Sequence, residues 1–206
     1  MRGRFIALEG GDACGKSTQA RLLAVSLGAV LTREPGGTPA GERIRAILLD
    51  PVVAGLDARA EALLMAAARA QHVAEVIRPA LGRGQAVVSD RFSGSSLAYQ
   101  GYGRGLPLEE IRRLSTWASG GLWPDVVVLL DVDQAEAGAR LRASGAAPDR
   151  LEAEGDDFHR RVAEGFRALA ASEPTWVQVD GCGSVEEVAR RVATAVAPFL
   201  RPPDGP

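Results

Sequence analysis

Short apolar runs alternate along the chain with longer stretches in which apolar residues recur at helical spacing. Each short run is apolar at nearly every position, as expected of strands that are covered on both faces. Strands that alternate with helices are typical of a parallel sheet flanked by helices. The predicted strands span residues 5–9, 29–32, 86–90, 126–131 and 175–179. We therefore expect an α/β fold built on an open five-stranded parallel sheet with helices on both faces.

The longer stretches predict helices over residues 17–27, 39–49, 57–81, 108–119, 135–143, 158–171 and 184–200. Pro79 lies near the end of the third stretch, where it predicts a kink or a terminus. Two segments interrupt the pattern, residues 91–107 and 143–157, and both are rich in glycine and small or polar residues. We expect both to be loops, where functional residues concentrate. The proline-rich tail, residues 202–206, predicts a frayed end.

Charge and composition narrow the possible partners. The chain has 24 basic and 26 acidic residues, a net charge of −2 and a pI near 5.8. Lys16 is the only lysine, and there is no asparagine, so an Asn-Lys-x-Asp box that reads guanine is excluded. A slightly acidic protein with few lysines is not typical of a broad nucleic-acid interface. We expect small-molecule partners and no nucleic acid.

The hydrophobic pattern also bears on location. The longest aliphatic run covers only residues 126–130, whereas a membrane span needs roughly 20 apolar residues. The apolar stretch at the N-terminus ends at Glu9, which is too short for a secretory signal. Cys14 and Cys182 are too few for a disulfide framework or a zinc site. We therefore expect one globular domain over residues 1–206 in the cytoplasm, with no membrane partner.

A phosphate-binding motif comes directly after the first predicted strand. Residues 10–17 read Gly-Gly-Asp-Ala-Cys-Gly-Lys-Ser, which fits G-x-x-x-x-G-K-[ST], and a predicted helix comes next. Backbone N–H groups of such a loop, together with the helix N-terminus, cradle phosphate oxygens. Lys16 would reach the β- and γ-phosphates, and Ser17 would ligate the Mg²⁺ that bridges them. The predicted ATP-binding residues are Gly10, Gly11, Asp12, Ala13, Cys14, Gly15, Lys16, Ser17 and Thr18.

The motif by itself does not separate kinases from switches, motors or other nucleotide-binding proteins. The third strand ends in Asp90 and Arg91, at the sheet edge where open α/β proteins bind ligands. Asp90 is a candidate metal ligand, and Arg91 is a candidate bridge between donor and acceptor phosphates. The alternative interpretation is an aspartate that caps the next turn, with Arg91 as its surface ion-pair partner.

Several segments in order resemble thymidylate kinases over nearly the whole chain. They are Thr-Arg-Glu-Pro-Gly-Gly-Thr at 32–38, Arg-Ala-Gln-His at 69–72, Asp-Arg-Phe-Ser-Gly-Ser-Ser-Leu-Ala-Tyr-Gln-Gly at 90–101, Asp-Arg-Leu-Glu at 149–152 and Phe-His-Arg-Arg-Val at 158–162. The resemblance implies a P-loop kinase fold with a lid over residues 143–157. It also implies transfer of the γ-phosphoryl group of ATP to dTMP for dTTP synthesis, with Mg²⁺, and a homodimer that forms through helices.

The same resemblance assigns roles around the acceptor nucleotide. Asp12 would face the sugar 3′-hydroxyl, and the Glu34–Pro35 bond resembles one that the family can hold cis, which brings Arg45 to the acceptor phosphate. Arg69 matches the arginine that contacts the thymine edge, and Tyr99 matches the aromatic residue that crowds the ribose 2′ position. The implied acceptor site comprises Asp12, Glu34, Arg45, Met65, Arg69, Arg91, Ser95, Ser96, Tyr99 and Gln100.

The resemblance also places a catalytic arginine either in the phosphate loop or in the lid. Ala13 occupies the loop position in this chain, so the lid is expected to supply the arginine. Arg150 is the first candidate, with Arg142 and Arg140 in support, although Arg140 also fits a solvated helix end. The predicted catalytic residues are Lys16, Asp12, Arg91, Arg150 and Arg142, and the predicted metal ligands are Ser17 and Asp90.

One departure from the family pattern leaves the substrate open. Met65 stands where thymidylate kinases usually stack a phenylalanine on the base, and its thioether packs less rigidly. A kinase for another nucleoside monophosphate is therefore an alternative, and a non-catalytic nucleotide-binding module is a second one. Gln71 and His72 are interpreted as a solvated helix face without a catalytic role.

Overall fold

The computed structural model describes residues 2–53, 55–145 and 147–200, which form one five-stranded parallel sheet. The strand order is β2-β3-β1-β4-β5, so β1 is the central strand, with β2 and β3 on one side and β4 and β5 on the other. The strands are β1 Phe5–Glu9, β2 Val30–Arg33, β3 Val87–Asp90, β4 Val126–Asp131 and β5 Trp176–Asp180. The predicted α/β fold is confirmed, with β2 and β5 one residue later than expected.

The central strand is buried on both faces because each face carries its own apolar cluster. Ile6 and Leu8 pack in the cluster that holds residues of the first and last helices. Phe5 and Ala7 pack on the other side, against Val73 and Ile77 among others. Alternate residues of a strand point to opposite faces, so a run that is apolar up to its last residue gives a strand covered by helices on both faces.

The helices are α1 Lys16–Leu27, α2 Pro39–Leu49, α3 Ala58–His72, α4 Arg78–Gly82, α5 Ser93–Ser96, α6 Leu108–Ser119, α7 Gln134–Ser144, α8 Asp156–Ser172 and α9 Val185–Leu200. Local caps define several starts. The Thr38 hydroxyl accepts a hydrogen bond from the Gly41 N–H at 3.0 Å, and Asp57 Oδ1 accepts one from the Arg59 N–H at 2.9 Å. Such side chains satisfy helix N–H groups that have no partner inside the helix.

The predicted helix over residues 57–81 is interrupted by a wider turn. Helices α3 and α4 are joined by a π-helical segment, Val73–Ile77, which ends two residues before Pro79 in the first turn of α4. Proline has no N–H, and its ring crowds the carbonyl group four residues earlier, which forces irregular backbone pairing upstream. The kink expected at Pro79 therefore takes the form of a π segment.

The prediction of a loop over residues 91–107 was wrong. Helix α5 continues as a π-helical segment, Leu97–Gly103. The glycines that indicated a turn instead allow close packing. A Cβ on Gly94 would lie 2.8 Å from the Trp176 ring, and one on Gly103 would lie 2.6 Å from the Phe158 ring. Close approach of a neighbouring element, rather than backbone freedom, explains these glycines.

Among the described residues, no helix is long and apolar enough to cross a membrane. The predicted frayed tail at 202–206 lies outside the described residues. Residues 147–155, within the predicted lid, have no regular helix between α7 and α8, and their role as a lid stays a prediction. The phosphate loop, the ends of β2 and β3, and the segment between α7 and α8 all line one cavity at an edge of the sheet.

Candidate active site

A cavity of about 440 Å³ opens at the carboxyl-terminal edge of β1, β2 and β3. Strands β2 and β3 lie on one side of β1, and β4 and β5 lie on the other. Open α/β sheets bind ligands beside the strand where the strand order changes direction in this way. Most predicted site residues converge there. The predicted residues that line the cavity are Asp12, Ala13, Lys16, Ser17, Glu34, Arg45, Met65, Arg69, Asp90, Arg91, Ser95, Ser96, Tyr99 and Gln100.

The phosphate loop curls tightly at the end of β1. Gly10 has φ 143°, and a Cβ there would lie 2.5 Å from the Leu130 carbonyl oxygen, so only glycine fits. Helix α1 begins at Lys16, directly after the loop. The buried Lys16 ammonium donates to the Gly11 carbonyl and lies 3.5 Å from Cys14 Sγ. The loop therefore has the shape that the motif predicts, and its lysine is folded over it.

The remaining predicted ATP-binding positions belong to the loop and the first turn of α1. Gly15 and Ala13 both have left-handed backbones, with φ of 94° and 56°. Cys14 is buried in the core cluster beneath the loop, and Thr18 is half-buried. The described structure places Gly10, Gly11, Cys14, Gly15 and Thr18 outside the lining of the acceptor cavity. Their contacts with ATP stay predictions.

Ser17 and Asp90 are brought together from two elements. The Ser17 hydroxyl donates a hydrogen bond of 2.5 Å to Asp90 Oδ2, which joins the start of α1 to the end of β3. Asp90 Oδ1 is buried and accepts no hydrogen bond from the described residues. An oxygen pair with one unsatisfied carboxylate oxygen fits Mg²⁺, which prefers oxygen ligands and keeps several waters or phosphates. Among the described residues, no group of three or more His, Cys, Asp or Glu side chains is arranged so that it could hold a metal ion.

An ion pair joins the phosphate loop to the acceptor side. Arg91 NH2 lies 2.6 Å from Asp12 Oδ1, and the Tyr99 hydroxyl donates to Asp12 Oδ2 at 2.8 Å. Burial raises the pKa of Asp12, but the Arg91 and Lys16 charges outweigh it, so the pKa lies below the usual aspartate value. Burial also raises the pKa of Tyr99 well above its usual value, so the phenol remains a donor.

The backbone of Arg91 is strained where the side chain is needed. Its φ of 69° is in the left-handed region, which non-glycine residues adopt mainly at functional sites. The guanidinium donates to the Gly10 carbonyl at 2.9 Å and to Ser95 Oγ at 3.0 Å, and it lies over the Tyr99 ring at 5.1 Å. Surrounding contacts thus hold Arg91 between the phosphate loop and α5. The alternative of a surface pair with Asp90 is not observed.

Glu9, the last residue of β1, is a functional candidate that the sequence did not single out. It is fully buried, and its carboxylate accepts from the Phe92 N–H at 2.9 Å, the Ser95 N–H at 3.0 Å and the Ser95 hydroxyl at 2.6 Å. It therefore caps the N-terminus of α5 from a distant strand. Burial raises the pKa of Glu9 above its usual value. The sequence signal that could have identified Glu9 is a single carboxylate at the end of an otherwise apolar strand.

A buried network lies behind the base-binding end of the cavity. Glu34 pairs with Arg69 Nε at 2.8 Å and with His72 Nδ1 at 3.0 Å, and the other His72 nitrogen lies 2.5 Å from Thr32 Oγ1. His72 is fully buried, so its interpretation as part of a solvated face was wrong. Gln71 is exposed, as expected. A histidine with both nitrogens engaged acts here as a structural link between β2 and α3.

Arg69 is held rigidly rather than extended into solvent. Besides Glu34, it donates to Ser115 Oγ at 3.1 Å, to the Phe92 carbonyl at 3.2 Å and to Ser96 Oγ at 2.9 Å. It is 2% exposed and still lines the cavity. Four of the five guanidinium N–H groups are therefore used by the described residues. At most one N–H group of Arg69 is therefore left for the predicted contact with a base.

The segment after β2 turns as the resemblance implies. The Glu34–Pro35 peptide bond is cis, and Arg45 NH1 donates to the Pro35 carbonyl at 3.1 Å. Arg45 lines the cavity, and burial together with the Arg33 charge lowers its pKa below the usual arginine value. Arginine remains charged despite such a shift. A cation is thus placed at the acceptor end, where an anionic ligand would neutralise it.

The lid contacts α2 and α3 through a second ion-pair cluster. Arg150 donates to the Leu48 carbonyl at 2.7 Å and to Glu61 Oε2 at 2.6 Å, and Arg104 pairs with both Glu61 and Glu154. Asp149, Leu151 and Glu152 line the cavity, whereas Arg150 does not in this conformation. The predicted contact between Arg150 and a phosphate is therefore not present in this structure. Its catalytic role stays a prediction.

The other lid arginines lie on α7. Arg142 is exposed in the last turn of that helix. Arg140 pairs with Glu136 at 2.8 Å and donates to the Gly181 carbonyl at 3.1 Å. The structure brings neither side chain to the acceptor cavity. The role of Arg142 in catalysis stays a prediction, as does the supporting role of Arg140.

Comparison with known proteins identifies the family to which the chain belongs. The family model described as thymidylate kinase matches residues 8–192. A thymidylate kinase of Pelotomaculum thermopropionicum is 49% identical over 193 residues, which cover 91% of this chain and 89% of that protein. A thymidylate kinase of Clavibacter sepedonicus is 53% identical over 193 residues, or 91% of each chain. The crystal structure of thymidylate kinase from Ehrlichia chaffeensis has a TM-score of 0.78 and 31% identity, covering 95% of this chain and 100% of that one. The chain belongs to the thymidylate kinase family.

Proposed function

We propose that this protein transfers the γ-phosphoryl group of ATP to dTMP, giving ADP and dTDP. The observation that carries the proposal is the Asp12–Arg91–Tyr99 cluster, which joins a phosphate loop to an acceptor cavity. One guanidinium there lies between the two places where the donor and acceptor phosphates would be bound. A plain nucleotide-binding module has no need of that second anion site.

On the donor side, Lys16 exchanges its contact with the Gly11 carbonyl for β- and γ-phosphate oxygens. The loop N–H groups and the start of α1 add positive potential around those oxygens. Ser17 and Asp90 would hold Mg²⁺, supported by the unsatisfied Asp90 Oδ1. When bound, Mg²⁺ neutralises charge on the β- and γ-phosphates. Together these groups make ADP a better leaving group.

On the acceptor side, Arg45 and Arg91 bind the dTMP phosphate, whose oxygen attacks the γ-phosphorus. A new P–O bond forms there while the bond to the oxygen bridging the β- and γ-phosphates breaks, and that electron pair leaves on ADP. The attacking oxygen is already anionic, so no general base is required. Asp12 orients Arg91, and Met65, Arg69, Ser96 and Gln100 surround the base. Tyr99 packs close to the sugar, and Ser95 and Glu34 hold the arginines in place.

The lid supplies the remaining positive charge. Arg142 and Arg150 are assigned to the transferred group, with the lid closing so that water does not accept the phosphoryl group. This assignment rests on the family and on Ala13, which leaves the phosphate loop without an arginine. A homodimer and a cytoplasmic location remain predictions. The dimer is supported by two strongly exposed apolar side chains, Trp117 on α6 and Leu63 on α3, which a second copy of the chain could cover.

A kinase for another nucleoside monophosphate remains the second candidate. Met65 lines the cavity in place of the usual aromatic residue, and a thioether discriminates less among bases. The two candidates are separated by coupled assays of ADP formation with dTMP, dUMP, dCMP and dGMP at equal concentrations. We expect the highest kcat/KM with dTMP. A folded protein that binds ATP but consumes none with dTMP would contradict the proposal.

A further inference from the structure

The carboxylate of Glu61 has no role in the chemistry above, yet it is a charged side chain in the core. Glu61 is 0% exposed, and its Oε1 accepts from Gln100 Nε2 at 2.9 Å. Arg104 donates to both carboxylate oxygens, at 3.3 Å and 3.0 Å, and Arg150 donates to Oε2 at 2.6 Å. The hydrogen bonds outweigh the effect of burial, and the pKa of Glu61 lies below the usual glutamate value. Glu61 is therefore an anion that only accepts hydrogen bonds.

An anion at this place determines which end of the Gln100 amide faces it. An amide offers an NH₂ donor at one end and a carbonyl acceptor at the other, and a carboxylate can pair only with the NH₂ end. Gln100 is 1% exposed and lines the acceptor cavity. Its Oε1 is buried and accepts no hydrogen bond from the described residues. One wall of the cavity therefore holds a buried amide oxygen that has no hydrogen-bond partner among the described residues.

The neighbouring polar group in the cavity is a donor. Arg69 has no acceptor atom, and the described residues use four of its five N–H groups. A donor from Arg69 and an acceptor from Gln100 match the O4 and N3–H edge of thymine or uracil. Cytosine presents the reverse pattern, with an amino donor at C4 and an acceptor at N3. An unmatched pair in a buried site leaves groups without partners, which is costly.

We propose that Glu61 is a positioning residue that orients the Gln100 amide, and that it thereby makes the site discriminate against cytosine nucleotides. The proposal rests on the function proposed above. It concerns the hydrogen-bonding edge of the base, which thymine shares with uracil, and not the 5-methyl group that distinguishes the two bases. Glu61 touches no substrate in this account, and it acts through Gln100 alone.

The test compares kcat/KM for dTMP, dUMP and dCMP in the wild type and in Glu61→Gln. A neutral amide at position 61 can donate to Gln100 Oε1, which frees the Gln100 amide to turn its NH₂ toward the cavity. We expect the ratio of dTMP to dCMP, and that of dUMP to dCMP, to fall by about 10-fold or more, as expected from one buried hydrogen bond. Unchanged ratios, with all three substrates slowed equally, would show a structural role only and overturn the proposal.

Two further variants separate orientation from general damage. Arg104→Gln removes a different partner of the same carboxylate and leaves Gln100 paired, so both ratios should stay at the wild-type value. If Glu61→Gln does not fold, Gln100→Met removes the acceptor without changing Glu61. It should lower kcat/KM for dTMP and dUMP but not for dCMP, and equal losses for all three would contradict the proposal. A wild type that is inactive with every monophosphate would instead refute the proposed function.

Discussion

At the scale of single residues, the site depends on charges that are fixed before any ligand arrives. Arg91 is held by Asp12, the Gly10 carbonyl, Ser95 and the Tyr99 ring, although its backbone is in a strained region. Ordering a flexible arginine during the reaction would cost conformational entropy. In this protein, the conformational entropy of the Arg91 side chain is lost during folding instead. Arg69 is held in the same way, by Glu34 and Ser96.

Lys16 is the one basic position at which a guanidinium is not expected to work. Every other basic residue of the 24 is an arginine, and the lone ammonium lies where the phosphate loop leaves room for a compact charge. We expect Lys16→Arg to lower kcat by about 100-fold or more while the melting temperature changes little. Arg21→Lys on the exposed side of α1 is the matched control and should keep wild-type activity. Near-normal turnover by Lys16→Arg would contradict this role.

At the scale of elements, periodicity and local motifs predict those features that depend on neighbours in the chain. The β-strands, the phosphate loop and most helix ends are of this kind, and they lie within one or two residues of the predictions. Residues 91–107 were mispredicted because the cap of α5 comes from Glu9, more than 80 residues away in sequence. Local signals do not carry such a contact. For the same reason the buried partners of His72 and Arg150 were not foreseen.

The Glu9 carboxylate is expected to make stability depend on pH. Its pKa is raised in the folded protein above the ordinary value of 4.5, so the folded state binds a proton more readily than the unfolded state. Stability of the wild type should therefore rise, relative to Glu9→Gln, as the pH is lowered from 7 toward 4.5. Urea unfolding of both proteins across this range measures the difference. A difference that stays flat or shrinks would show that the pKa is not raised.

The lid arginine is a prediction at the same scale. Arg150→Ala should lower kcat by about 100-fold, since a charge near the transferred group acts mainly in the transition state, while ATP affinity changes little. Single-turnover kinetics and equilibrium titration with ATP measure the two effects. Arg160→Ala, on the exposed face of α8, is the control. If Arg150→Ala loses ATP binding and turnover together, the residue anchors the lid to Glu61 and has no separate role in transfer.

At the scale of the whole molecule, large apolar side chains remain exposed on two helices that pack against each other, α3 and α6. Trp117 on α6 is 82% exposed, and Leu63 on α3 is 58% exposed. A large aromatic side chain in water is typical of a protein interface. We expect Trp117→Arg to convert a dimer to a monomer in sedimentation velocity experiments. Val25→Arg changes another strongly exposed apolar residue, on α1, and should leave the dimer intact. A wild type that is already monomeric at micromolar concentration would refute the dimer.

In the proposed reaction, the phosphoryl group moves directly between two bound nucleotides. ATP labelled in its γ-phosphate is incubated with the protein, Mg²⁺ and dTMP, and the products are separated by chromatography. We expect the label to appear in dTDP, and inorganic phosphate to gain little because the closed lid excludes water. Label found mainly in inorganic phosphate, or retained in ATP by a folded and ATP-binding protein, would contradict it.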